Sequence, residues 1–246
     1  DFSSAEQVFN FLDKFTEEKP FVKIGMELFY AAGPEIVKEI KARGHKIFLD
    51  LKLHDIPNTV KKSMSVLSHL DVDMTNLHAA GTISMMEAAL EGLTREDGTR
   101  PLLIAVTQLT STDQERMEND LLIKEPIDKV VMHYASNAAK AGLDGVVCSP
   151  LEAEKVHNTC GGSFLTITPG VRFADGDVGD QKRVMTPEQA KKIGCVNTVK
   201  RRNGKLYGYN TDYDGFRYLL TSEGMEINGK NKNACDEQAQ KEDGAS

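Results

Sequence analysis

Charged side chains of both signs interrupt an apolar stretch early in the chain. In residues 48–59, FLDLKLHDIPNT, Asp50 and Lys52 are two positions apart, and Asp55 follows the apolar run. Successive side chains of a strand point to opposite faces, so Asp50 and Lys52 share one face. Buried charges are costly unless they are paired. The pattern therefore predicts either a structural ion pair or a charged catalytic array at the carboxyl end of a strand, and we favour the array.

Strand and helix patterns alternate around this array. Apolar runs predict strands at 21–25, 46–53, 74–79, 102–109, 145–148 and 164–168. Amphipathic patterns and capping signals predict helices at 4–15, 33–43, 57–70, 85–93, 127–141, 151–157 and 187–192. This alternation indicates βαβ units and therefore a parallel sheet.

The polar residues of this α/β pattern collect where the strands end. Lys23, His78 and Thr168 stand at such positions, as do Asp50 and Lys52. This arrangement is typical of a (β/α)8 TIM barrel, whereas a doubly wound sheet would carry a Gly-rich loop after its first strand. Six strands are clear and a barrel needs eight. We therefore expect one strand upstream of Asp1, with residues missing there, and one after Gly194.

The expected eighth strand coincides with a different pattern. Residues 195–212 contain two β-prone runs around Asn203-Gly204, a strong hairpin signal. A hairpin is antiparallel and does not supply a parallel closing strand, so a non-native eighth strand is expected. The sequence thus predicts a barrel at 1–194, a hairpin-like segment at 195–227 and a disordered polar tail at 228–246.

Composition limits the class of protein. The 246 residues are 40% hydrophobic and carry a net charge of -7, which argues against a nucleic-acid partner. Neither an apolar run of membrane-spanning length nor a secretory signal occurs in the sequence, so no membrane partner is expected. The four cysteines show no metal-like spacing and are interpreted as free thiols in a reducing cytoplasm. No metal site is predicted, and Cys148 is interpreted as a core thiol.

Several motifs together resemble a known family. They are FVKIGMELF (21–29), FLDLKLHDIPNT (48–59), HAAG (78–81), AVTQLTS (105–111), TPGVR (168–172) and DQKR (180–183). In order and spacing they are similar to bacterial orotidine 5′-phosphate decarboxylases, over residues 1 to about 194. The Asp-x-Lys-x-x-Asp part is less specific, because sugar-phosphate decarboxylases and aldolases of the same superfamily also carry it.

The resemblance implies a homodimeric TIM barrel that converts orotidine 5′-phosphate to UMP in pyrimidine biosynthesis without a cofactor. Lys23, Asp50 and Lys52 would form the charged array, and Asp55 would enter from the partner subunit. Asp50 would face the substrate carboxylate, and Lys52 would protonate C6 as CO₂ leaves. A fixed ammonium is suited to this task because negative charge develops at C6.

The same resemblance assigns substrate-binding residues. Asp1 would hold the ribose, Thr59 would reach across the dimer, and Arg172 would approach the phosphate. Thr110 and Gln181 would contact substrate from later loops. Taken singly, Thr110 and Gln181 could equally be ordinary loop polar residues and Arg172 a solvated charge. His54 and His78 are interpreted as hydrogen-bonded structural residues.

The resemblance ends near Gly194. The family's closing strand ends in Gly-Arg, and here Arg202 falls at the arginine position but Arg201 replaces the glycine. CVNTV (195–199) and GYNTDYDGF (208–216) instead resemble shikimate dehydrogenase, without that family's lysine motif or nucleotide loop. We therefore interpret the chain as a chimera. The alternative to a chimera is a natural variant with a divergent closing strand. The alternatives for the function are a sugar-phosphate decarboxylase or aldolase of the same superfamily and an inactive chimeric barrel remnant.

Overall fold

The protein forms two compact units, residues 1–197 and 198–246. The computed structural model describes residues 2–17, 19–170 and 183, and the backbone of 198–202 and 205–209. The predicted helix at 187–192 and the polar tail lie outside these ranges. No helix in the described ranges is long and apolar enough to cross a membrane.

A six-stranded parallel sheet forms the centre of the first unit. Its strands are β1 (Val22–Gly25), β2 (Ile47–Leu53), β3 (Met74–His78), β4 (Leu102–Val106), β5 (Gly145–Val147) and β6 (Leu165–Ile167). Each strand pairs with the next one in the chain, in the order β1-β2-β3-β4-β5-β6. A doubly wound sheet would reverse this order at a switch point. The unreversed order is that of a section of a (β/α)8 barrel, and the predicted α/β class with a parallel sheet is confirmed.

Helices connect these strands. They are α1 (Ala5–Leu12), α2 (Met26–Ala32), α3 (Glu35–Ala42), α4 (Pro57–Ser68), α5 (Thr82–Leu93), α6 (Gln114–Asp120), α7 (Ile127–Lys140) and α8 (Ala153–Cys160). The Oγ of Ser4 accepts the N–H of Gln7 and caps α1, as its sequence signal predicts. Pro57 opens α4, where its missing N–H has no cost.

Two helices were not predicted from the sequence, and strand β4 is shorter than predicted. Helix α2 directly follows β1, and α6 lies in the connection after β4, where no helix was predicted. Helix α6 is polar and buries only Met117, so its apolar periodicity is weak, although Asp113 caps it by accepting the N–H of Arg116. Strand β4 ends at Val106 instead of 109. Beyond its end, the hydroxyl of Thr107 donates to the carbonyl oxygen of Val147 on the neighbouring strand.

Apolar side chains cover both faces of the sheet. One face belongs to the main core, in which Leu49, Leu77 and Leu103 pack against the helices. The other face carries a smaller cluster of Phe48, Met74 and Ile104. Because side chains alternate along a strand, Asp50 shares the second face with Phe48. The acid therefore lies on the face that a barrel would turn inward.

Helices α4 and α5 pack against each other at very close range. A Cβ placed on Gly92 of α5 would lie 2.1 Å from the carbonyl oxygen of Lys61 on α4. Only glycine allows the two backbones to approach this closely. The contact fixes α4, the helix that begins just after the charged strand β2.

The second unit contains a hairpin. Strands β7 (Thr198–Arg202) and β8 (Lys205–Tyr209) pair antiparallel around Asn203-Gly204, with Arg202 opposite Lys205. The pairing is that of a two-residue hairpin loop, which Asn-Gly favours.

Candidate active site

Three charged side chains meet on the neighbouring strands β1 and β2. The Nζ of Lys52 donates to Asp50 Oδ1 at 2.6 Å, and the Nζ of Lys23 lies 3.4 Å from Asp50 Oδ2. The side chain of Asp50 is 11% exposed, those of Lys52 and Lys23 26% and 43%. One buried carboxylate thus holds two ammonium groups that remain open to solvent. A substrate entering from that side would meet both cations at once.

The backbone at Lys52 departs from the regular strand that the sequence predicts. Its φ angle is +53°, a left-handed conformation that is unfavourable for residues other than glycine. The register of β2 on β3 shifts over the same stretch, between Leu49 and Leu53. Such irregularities re-aim a side chain and are common beside active sites. Here the irregularity lies at the residue whose ammonium donates to the Asp50 carboxylate.

Asn76 on β3 holds both members of this pair. Its Nδ2 donates to Asp50 Oδ1 at 2.6 Å, and its Oδ1 accepts the backbone N–H of Lys52 at 2.8 Å. Asn76 is 1% exposed, so both bonds are shielded from water. Sequence reasoning missed this residue. The available signal was an amide inside an apolar strand, a position where a polar group must find partners.

The charged partners set the protonation of the site. Burial acts to raise the pKa of Asp50, but the hydrogen bonds from Lys52 and Asn76, aided by the charges of Lys52 and Lys23, hold the pKa below its usual value. Burial lowers the pKa of His78, and the nearby His54 and Lys52 lower it further. The rings of His54 and His78 lie 5.6 Å apart. Asp50 is therefore a carboxylate at neutral pH, and His78 is biased towards its neutral form.

The pKa of Asp50 predicts a pH dependence of stability. A carboxyl whose pKa is lower in the folded state stabilises the fold above its unfolded pKa, and that contribution is lost as the pH falls through the folded pKa. We expect the free energy of unfolding of the wild type to fall more steeply than that of Asp50→Asn as the pH drops below about 4. Urea unfolding at a series of pH values measures this difference. The exposed Asp120→Asn is the control and should keep the wild-type slope, whereas equal slopes for all three proteins would contradict the prediction.

A cavity opens beside the array. Its volume is about 340 Å³, and its charged lining residues are Lys23, Glu27, Asp50 and Lys52. Gly25 also lines the cavity, and a Cβ at Gly25 would lie 3.3 Å from the Lys23 ammonium. A side chain at this position would crowd the lysine. The glycine thus leaves room for Lys23 to reach Asp50.

Asp55 and Thr59 lie apart from the three-residue array. Both are exposed, Asp55 just after β2 and Thr59 in the first turn of α4. The carboxylate of Asp55 accepts the N–H of Ile56 at 2.6 Å. The structure therefore brings together Lys23, Asp50 and Lys52 and leaves Asp55 and Thr59 on the surface of the single chain.

Thr110 lies in the loop after β4 and is 6% exposed. Its carbonyl oxygen accepts the N–H of Arg183 at 3.3 Å. Asp1, Arg172 and Gln181 lie outside the described residues, and Arg202 is described only by its backbone in β7. Their roles remain sequence predictions.

Within the described ranges, no three His, Cys, Asp or Glu side chains are grouped so that they could hold a metal ion. Cys148 is buried and Cys160 is half-buried, and both are free thiols. The array itself, with Asn76, offers two ammonium groups, one carboxylate and one amide for chemistry.

Comparison with curated proteins agrees with the motifs. The family model for orotidine 5′-phosphate decarboxylase / HUMPS matches residues 1–199. The orotidine 5′-phosphate decarboxylase of Geobacillus sp. (strain WCH70) is 54% identical over 206 residues, covering 82% of this chain and 86% of the relative. That of Staphylococcus haemolyticus (strain JCSC1435) is 55% identical over 202 residues, covering 82% and 87%.

Solved structures show the same likeness. The crystal structure of an uncharacterized conserved protein from Geobacillus kaustophilus matches with a TM-score of 0.69 and 47% identity, covering 79% of this chain and 84% of the other. Orotidine 5′-phosphate decarboxylase from Lactobacillus acidophilus matches with a TM-score of 0.68 and 40% identity over the same shares of the two chains. From these matches and the array on β1 and β2, the chain belongs to the orotidine 5′-phosphate decarboxylase / HUMPS family.

Proposed function

We propose that the protein decarboxylates orotidine 5′-phosphate to UMP, a step of pyrimidine biosynthesis, without a metal or organic cofactor. The observation that carries the proposal is the buried Asp50 carboxylate bound by the Lys52 and Lys23 ammonium groups. The curated relatives reported above carry the name of this decarboxylase.

The reaction needs a cation at one carbon atom. When the bond between C6 and the carboxylate breaks, CO₂ leaves and the electron pair stays on C6 of the pyrimidine. The Lys52 ammonium stabilises this developing charge and donates its proton to C6, which gives UMP. Lys52 then recovers a proton from solvent. Asp50 fixes the ammonium, and its negative charge beside the substrate carboxylate disfavours the ground state.

A homodimer would complete the site. In one chain, Asp55 and Thr59 follow β2 and are exposed, and Asp55 accepts the backbone N–H of Ile56. We infer that they enter the site of a partner subunit, so that Asp55 adds a second carboxylate beside Lys52. Asp1, Thr110, Arg172 and Gln181 would bind the nucleotide within one subunit.

We also propose that the barrel is chimeric and acts in the cytoplasm. The parallel strands β1–β6 supply a section of a barrel, and the antiparallel pair β7–β8 follows where a parallel closing strand is expected. The segment at 195–227, which resembles shikimate dehydrogenase, would replace the native eighth strand. Arg202 would then be the candidate for the phosphate-binding arginine.

The test is direct measurement of turnover. Conversion of orotidine 5′-phosphate to UMP changes the ultraviolet absorbance of the pyrimidine, and we expect it to proceed equally with EDTA and with added Mg²⁺. A protein that turns over a sugar phosphate only with Mg²⁺ would indicate the lyase alternative within the same superfamily. No turnover of either substrate at high enzyme concentration would indicate a barrel remnant.

A further inference from the structure

Arg183 contacts two loops, which follow the carboxyl ends of β4 and β5. Its Nη2 donates to the carbonyl oxygens of Gln108 at 3.0 Å and Leu109 at 3.1 Å, both in the loop after β4. Its Nη1 forms an ion pair with Glu152, in the 3₁₀ turn that follows β5. The backbone N–H of Arg183 also donates to the carbonyl oxygen of Thr110. One residue thus contacts three successive positions of the loop after β4.

The loop after β5 supports this link. Glu152 accepts the backbone N–H of Ser149 at 2.8 Å with the carboxylate oxygen that Arg183 does not bind. The hydroxyl of Ser149 donates to the carbonyl oxygen of Arg183 at 3.2 Å. Ser149 is fully buried and Glu152 is 2% exposed. Both the backbone and the side chain of Arg183 are therefore bound by the loop after β5.

The burial of Arg183 argues against direct contact with a phosphate. Its side chain is 11% exposed and that of Glu152 is 3% exposed. Both terminal nitrogens are engaged, one by a carboxylate and the other by two carbonyl oxygens. A guanidinium so engaged would have to break a buried ion pair before it could bind an anion, and that is costly.

We propose that Arg183 is a positioning residue for substrate binding: it fixes the loop after β4 and thereby places Thr110 for contact with the nucleotide. The proposal rests on the proposed function, from which the role of Thr110 derives. A planar guanidinium reaches the carboxylate and the two carbonyl oxygens together, whereas the point charge of a lysine ammonium cannot reproduce that geometry.

Arg183→Lys is the principal test, because it keeps the charge beside Glu152. We expect KM for orotidine 5′-phosphate to rise about tenfold, as the loss of hydrogen bonds from a charged donor implies, with kcat changed by less than about twofold. Glu152→Gln, which keeps the shape of the partner, should raise KM in the same direction by less.

Arg100→Lys is the matched control. Arg100 binds Asp144 through both terminal nitrogens, at 2.5 and 2.9 Å, and the two side chains are 24% and 21% exposed. Arg100 precedes β4 and Asp144 precedes β5, so this ion pair lies at the amino ends of the strands, away from the site. We expect Arg100→Lys to lower the unfolding midpoint without changing KM.

Amide hydrogen exchange tests the loop without reference to activity. Exchange in residues 108–112 should become faster in Arg183→Lys and stay unchanged in Arg100→Lys. If the wild type is active and Arg183→Lys has the wild-type KM, the proposal is wrong. It is also wrong if amide exchange in residues 108–112 is unchanged in Arg183→Lys. A wild type without turnover would refute the proposed function instead, and faster loop exchange would still support the structural part of the inference.

Discussion

Replacing Lys52 with alanine should lower kcat for orotidine 5′-phosphate by about 10⁴-fold or more, because under the proposed function this one side chain supplies both the proton and the charge opposite the carbanion. Asp50 keeps Lys23 and Asn76 as partners in this variant. We therefore expect the protein to stay folded. Steady-state turnover followed by absorbance, with the unfolding midpoint measured in parallel, separates lost chemistry from lost structure.

Lys38→Ala is the control for the loss of a lysine. Lys38 is 61% exposed on α3 and pairs with Glu35 at 2.6 Å. Surface pairs of this kind contribute little, so the variant should keep wild-type turnover. A Lys52→Ala enzyme that kept more than about one hundredth of the wild-type kcat would show that another group protonates C6.

The second large effect is expected at Asn76. In Asn76→Ala the backbone N–H of Lys52 loses its acceptor and Asp50 loses one donor, both in a buried place. We expect kcat to fall about 100-fold, because an ammonium displaced by about 1 Å is no longer aligned with C6. The free energy of unfolding should fall by about 2 kcal/mol. Turnover and urea unfolding measure the two effects.

Two further variants distinguish the effect of losing the Asn76 hydrogen bonds from the effect of disturbing strand β3 in general. Asn76→Asp keeps an acceptor for Lys52 but places a second carboxylate against Asp50. Thr75→Val removes a buried hydrogen bond to the carbonyl oxygen of Leu49, at 3.0 Å, and does not touch the array. If Asn76→Ala reduced kcat no more than Thr75→Val does, the positioning role of Asn76 would be wrong.

The alternation of strands and helices could be predicted because each element carries its own signal. Strand β2 is largely apolar, and helix α4 begins at a proline, so their bounds were predicted to within a few residues. Helix α6 was missed because it buries a single residue, Met117, and thus lacks an apolar stripe.

The finer geometry of the site depends on contacts that no local pattern records. The φ angle of +53° at Lys52 has no glycine to signal it, and it is sustained by Asn76 on a neighbouring strand. The contacts of Arg183 likewise join loops that are more than 30 residues apart, including the pairing with Glu152. Sequence motifs gave the residue types of the charged array, and the tertiary fold gives their support.

Under the proposed function, the residues that carry out the chemistry and those that hold the nucleotide lie in different parts of the chain. The groups that would act on C6 under the proposed function lie on β1, β2 and β3, whereas Thr110 follows β4 in the chain and Arg183 follows β6. Under the proposed function, changes in the later loops would alter which nucleotide is held, and the protonating apparatus would stay intact. Under the proposed chimera, a foreign segment after the sixth strand would affect nucleotide binding and leave the charged residues on β1 and β2 in place.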